Sequence, residues 1–202
     1  MRMLLLFMVS LAFAGHQDPP YGGTVWIDPD IITPDDPTAY AGHSYTGRGM
    51  RTIYDRRPAA WIQVEAYVFE VSFDDGTTAE FIINPEFGSR EAAEEHVTRY
   101  APPIGQLSTS MRKDMHEVWI NGGAAAAGGG NNSILLHTVY GERHLADGFL
   151  EEVLVHEAGH TSFDAQYARS ADWIAAQNAD GEFISTYARD NPFREDIAES
   201  LL

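Results

Sequence analysis

Val153-Leu154-Val155-His156-Glu157-Ala158-Gly159-His160-Thr161-Ser162-Phe163-Asp164 places two histidines four residues apart, with a glutamate directly after the first. On a helix, positions i and i+4 stack on one face, so the imidazoles of His156 and His160 can close on one ion while Glu157 points beside it. Zinc takes nitrogen and oxygen donors in a tetrahedron. A catalytic zinc site uses three protein ligands and leaves the fourth position to water, whose proton Glu157 is placed to accept. Phe149, Leu150, Val153 and Leu154 recur at helical spacing ahead of the motif and predict the packed apolar stripe that holds a metal-bearing helix still. The competing reading is a partly buried helix that carries two histidines by chance.

The chain has 202 residues, 44% hydrophobic and 21% charged, which describes one ordinary globular domain. Its formal charge of −17 comes from 30 acidic and 13 basic residues, and Lys113 is the only lysine. No basic patch is available for phosphate backbones, so nucleic acid and anionic membrane are excluded as partners. With no cysteine there is neither a disulfide framework nor a thiolate ligand, and any zinc must be held by His, Asp or Glu. Residues Met1 to Ala14 carry a single Arg2, an apolar run, and Ala12-Phe13-Ala14 ahead of Gly15. This reads as a short signal peptide, too short to span a bilayer, and predicts a secreted or periplasmic protein.

Residues 15–60 are broken by Asp18-Pro19-Pro20, Asp28-Pro29-Asp30 and Thr33-Pro34-Asp35-Asp36-Pro37, and are expected to form an extended lead-in wrapped on the domain. Arg48, Arg51, Arg56 and Arg57 gather positive charge there, with internal pairing to carboxylates as the expected role. The catalytic domain is expected over 61–202. Trp61–Phe73 and Thr77–Ile83 read as a β-hairpin around Asp74-Asp75-Gly76. Ser89 should cap a helix running to about Tyr100, stopped by Pro102-Pro103. A short helix near Ser108–Met115 and a strand at Val118–Ile120 follow. Gly122–Asn132, with Gly128-Gly129-Gly130, reads as a mobile loop; it lacks the lysine and hydroxyl of a phosphate-binding loop. Ser133–Thr138 is expected as the edge strand that would hold an extended peptide. His137 and His144 are weak ligand candidates.

A third ligand is not obvious from spacing alone. Asp164 would lie about 12 Å along a continuing helix from His156, at roughly 1.5 Å per residue, and is better placed to orient a histidine from behind. Asn191-Pro192 reads as a helix start, after which Glu195 and Glu199 share a face at i and i+4, and either could reach the ion. Asp180-Gly181 should end a helix that begins near Ser170. The helical pattern is still running at Leu202, so the domain is expected to continue past it.

The ordered set His156-Glu157-Ala158-Gly159-His160, then Ser185-Thr186-Tyr187-Ala188-Arg189 with Asn191, then Glu195-Asp196-Ile197-Ala198-Glu199, resembles the lethal-factor-like gluzincin zinc metallopeptidases, with their pattern HExxH…SxYAxxN…EDxAE. The match covers Val153 to Glu199. The chain has one residue more than that pattern between Asn191 and Glu195. The resemblance implies Glu195 as third zinc ligand, Glu199 as a support behind the ligands and Tyr187 as an oxyanion donor. It implies an α+β zincin-like fold, in which a twisted sheet with an edge strand lies over the HExxH helix and a second helix carries the glutamate. The expected activity is a zinc-dependent metalloendopeptidase acting on peptides or proteins. A non-catalytic zinc-stabilised binding or adhesion domain, and a zinc hydrolase of a small amide, are the alternatives. Glu157 argues against the first, because a structural zinc site needs ligands and no base.

Overall fold

The computed structural model describes residues 18–24 and 33–202; the expected signal peptide at 1–14 lies outside them. The described residues form an α+β architecture of one open six-stranded sheet and eight α-helices, in the strand order β1-β2-β3-β4-β6-β5. The predicted hairpin is present as β2 (Ala60–Phe73) and β3 (Thr78–Ile83), antiparallel with Phe69 opposite Phe81. Parallel pairing then carries the sheet through β4 (Glu117–Asn121) to β6 (Ser133–His137). None of the helices described is long and apolar enough to cross a membrane.

The lead-in is structured over its second half. Tyr40–Asp55 is a 16-residue strand, β1, paired along β2 from Tyr40 opposite Phe73 to Asp55 opposite Ala60. Its glycines and polar residues hide it from propensity. Gly47, at φ 122°, lies at one of two register shifts, where an extra residue needs a conformation that L side chains avoid. Residues near Tyr21 do run along the domain surface, where the Thr186 amide donates to the Tyr21 carbonyl at 2.9 Å.

One sheet face packs against α1 (Arg90–Gln106) and α4 (Leu150–Ser162), burying Phe69, Phe81, Ile83, Val97, Ile120 and Leu154 in a single core. Ser89 caps α1 as predicted, its hydroxyl accepting from the Ala92 amide. The helix does not stop before Pro102-Pro103; it runs four residues past Pro102, to Gln106. The two interior prolines cost roughly 3 kcal/mol each in helix propensity, opposed by the burial of Tyr100, Ala101, Pro103 and Ile104 against the sheet. The Pro102 carbonyl also accepts from the Thr38 hydroxyl at 2.7 Å, which ties this end of α1 to the chain just ahead of β1.

The expected edge strand and mobile loop exchange roles. β6 is interior, and Gly128–Gly130 is itself a strand, β5, antiparallel to β6 at the end of the sheet; Thr138 instead opens α3 (Thr138–Asp147). Only glycine can occupy the middle of β5. A Cβ on Gly129 would stand 1.9 Å from the Glu157 carbonyl oxygen of α4, whereas Gly128 faces the other way, toward the Arg56 guanidinium. We expect Gly129→Ala to force α4 from the sheet and cost about 1–3 kcal/mol. Thermal unfolding should then begin roughly 2–12 °C lower, at about 2–4 °C per kcal/mol for a chain this size.

Candidate metal centre

α4 is buried over its whole length. Leu150, Leu154, Val155 and Ala158 enter the core, while Phe149 caps the helix and Val153 is buried outside the main cluster. The stripe is therefore narrower than the sequence pattern predicts. Its flank is tied to the sheet edge by Thr161, whose hydroxyl donates to the Ser133 carbonyl at 2.8 Å and accepts from the Gly130 amide at 3.0 Å. This clamp was not visible as a motif; the glycine run is its only trace in the sequence.

The opposite flank presents His156 and His160, whose Nε2 atoms lie 3.2 Å apart. The backbone needed to bring a third ligand comes from two later helices. α6 (Ala171–Asp180) begins after Ser170 and is closed by Gly181 as predicted, with the Ser170 hydroxyl as its cap, and holds α8 (Asp196–Ser200) through Trp173 Nε1 and Gln177 Nε2, which donate to Asp196 Oδ2 at 3.1 and 2.8 Å. α8 then crosses α4 at Gly159, where a Cβ would approach Ala198 Cα to 3.3 Å. Asn191 is not an N-cap. It closes α7 (Thr186–Asp190), and its carbonyl accepts from the amides of Arg194 and Glu195, so a separate helical turn leads into α8 with Glu195 at the cap. Glu195 and Glu199 still share a face, one turn apart, because the Glu199 amide donates to the Glu195 carbonyl at 2.8 Å.

Glu195 Oε2 stands 3.2 Å from His160 Nε2 and 3.5 Å from His156 Nε2. Donors held tetrahedrally about 2.0–2.1 Å from one zinc are separated by about 3.3–3.4 Å, so the triangle fits an ion without rearrangement. The proton positions agree. Asp164 Oδ2 lies 2.8 Å from His160 Nδ1 and favours a hydrogen there, so that the neutral ring turns its Nε2 lone pair to the centre. His156 Nδ1 lies 3.5 Å from Glu199 Oε1, and Glu199 is wholly buried. Glu195 Oε2 is buried as well. Such convergence of acceptors is costly unless a proton on His160 or a metal cation sits among them.

His156, Glu157 and His160 also bring donor atoms within 4.8 Å of one another, the one group among the described residues identified as able to hold an ion. Glu195 is the better third ligand, since its oxygen lies 3.5 Å or less from both imidazoles and Glu157 is then left for proton transfer. Burial pushes the Glu157 carboxyl above its ordinary range, against the pull of His156, His160 and Arg56. Burial also works against ionisation of Glu195, yet the two imidazoles and the Tyr187 hydroxyl hold it well below the usual carboxylate range. Tyr187, on α7, is pushed up to about 12 by burial and by its hydrogen bond to Glu195. Its phenol therefore remains a donor at neutral pH.

Comparison with protein-family models, with curated proteins and with solved structures finds no match to this chain. The case for the site rests on its own residues. His137 is outside it, buried with Nδ1 3.0 Å from the Gly122 carbonyl, and His144 sits in α3.

Protons compete for this centre. Burial lowers the pKa of His160, but Asp164 and Glu195 outweigh it and raise the value to about 9 in the metal-free protein. A raised value means that protonation stabilises the metal-free fold fully below the ordinary histidine range, and that this contribution is lost as pH rises through about 9. A metal ion bound at His160 would have to displace that proton. If the centre holds zinc, its affinity should climb between pH 6.5 and about 9 and then level, with close to one proton released per ion at pH 7, measurable by calorimetry in buffers of different ionisation enthalpy.

Proposed function

We propose that the protein is a zinc-dependent peptidase of the lethal-factor-like gluzincin type, with a zincin-like fold. His156, His160 and Glu195 would hold the ion, and the observation that carries the reading is their convergence at 3.2 to 3.5 Å around a point that Glu157 also faces. Bound zinc supplies Lewis acidity and lowers the pKa of a coordinated water to about 7. Glu157 accepts the proton of the attacking water and delivers it to the leaving nitrogen, and its raised affinity for a proton suits both halves of that task. Tyr187 turns its hydroxyl from Glu195 to the substrate carbonyl as charge develops there. β5 offers its main chain to an extended peptide, which would join the sheet as a further strand. The apolar run at Met3–Leu11 supports export of the chain to a secreted or periplasmic location.

The decisive experiment is metal analysis with a cleavage assay on a mixed peptide library. One zinc per folded chain and cleavage abolished by chelation, then restored by zinc, are expected. Folded protein without stoichiometric zinc would remove the reading.

A further inference from the structure

In this acidic chain almost every described arginine has an acidic neighbour. Arg51 and Arg57 make close paired contacts to Glu80 and to Glu86 with Asp55, and Arg48 reaches Glu65. Arg90, Arg99, Arg112, Arg143, Arg189 and Arg194 are likewise paired. Among the described residues only Arg56 and Arg169 reach no carboxylate in an ion pair. The expectation that the cluster from Arg48 to Arg57 serves internal pairing thus fails at Arg56.

Arg56 is exposed and lies over the outer face of β5, its guanidinium 2.9 Å from where a Gly128 Cβ would stand. There it lines a hollow of about 240 Å³ with Tyr54, Trp61, Trp119, Leu135 and Arg194. That is below the roughly 300–1,000 Å³ that holds a drug-sized ligand and suits one side chain. The wall is aromatic, with Trp61 edge-on to Trp119 at 5.3 Å and to Tyr54 at 5.5 Å. Trp61 is 52% exposed, an unusual state for so large an apolar group.

A peptide strand added to β5 would send alternate side chains to the two faces of the sheet. One set would point toward α4 and the metal ligands. The other would enter the hollow over Gly128, where charge and shape are complementary to an acidic group with an apolar stem. We propose that this hollow is a subsite for a carboxylate of the peptide substrate, with Arg56 as its binding group and the tryptophans as its wall. The inference rests on the peptidase reading and adds a substrate class to it. The carboxylate can belong to a Glu or Asp side chain or to a peptide C-terminus. Arg194 also lines the hollow but pairs with Glu195 at 3.4 Å, so Arg56 is the residue to vary.

The test uses matched peptides differing only in Glu, Gln or Lys at each position around the cleaved bond, each made with a free and an amidated C-terminus. Two readouts are taken: kcat/KM with the zinc-loaded protein, and dissociation constants on the Glu157→Gln variant from tryptophan fluorescence. A charge-assisted contact predicts a preference of roughly 10 to 100-fold for Glu over Gln at one position, reduced at high salt. Arg56→Gln should bring that ratio near one, and Arg56→Glu should transfer the preference to Lys. A preference that follows the free C-terminus instead assigns the subsite to the terminal carboxylate. Zinc-dependent cleavage with equal rates for Glu and Gln peptides, or a ratio that survives Arg56→Gln, overturns the subsite alone. If no peptide is cleaved but Arg56-dependent binding of the acidic peptides remains, the peptidase reading fails and the hollow stands only as a carboxylate-binding site for peptides. Absence of both overturns the subsite as well.

Discussion

Glu157→Gln is expected to keep one zinc per chain and to lose peptide cleavage by roughly 10² to 10⁴-fold, the usual scale for a positioned general base. Gln has the shape of Glu and no proton affinity at neutral pH, so the three ligands stay in place while proton transfer stops. The stability arm of the same experiment is equally specific. Glu157 is almost wholly buried, and burial disfavours its charge. Replacing it by a neutral isostere should leave the thermal midpoint unchanged or higher. A carboxylate serving the fold through ion pairing would give the opposite result, a lower midpoint with activity preserved.

Glu195→Ala should have the largest effect on metal binding. It removes one of three donors, and two imidazoles alone do not complete a zinc site. The loss in zinc affinity should exceed the roughly 10 to 100-fold expected for Asp164→Ala, which only orients His160 from behind. The two variants also differ in pH behaviour. Asp164 helps to raise the pKa of His160, so its removal should shift the rise of zinc affinity to lower pH while weakening binding overall. A competitive chelator titration at several pH values separates the cases. If Asp164→Ala proves the more damaging, the third ligand has been misassigned.

The residues from His156 to Asp164 already contain the two proposed histidine ligands, the proposed base and the carboxylate that meets His160, because helical geometry makes i and i+4 neighbours whatever surrounds the helix. The hairpin of β2 and β3, the cap at Ser89 and the helix start near Ser170 were legible for the same reason: period-two alternation and helix-end signals are local chemistry. Spacing alone left Glu195 and Glu199 equal. Glu195 meets the imidazoles only because α8 crosses α4 where Gly159 faces Ala198, with Asp196 tied to Trp173 and Gln177. β1, the strand at Gly128–Gly130 and the passage of α1 through two prolines were likewise set by their neighbours. Propensity is worth less than about 1 kcal/mol per ordinary residue and about 3 kcal/mol for an interior proline, and it yields where pairing along a long strand or burial of several side chains against the sheet is larger in sum. The position of Arg56 over β5 belongs to the same class. In sequence it is one of four arginines between 48 and 57; pairing of β1 with β2 and the bare faces of the glycine strand set it over the hollow.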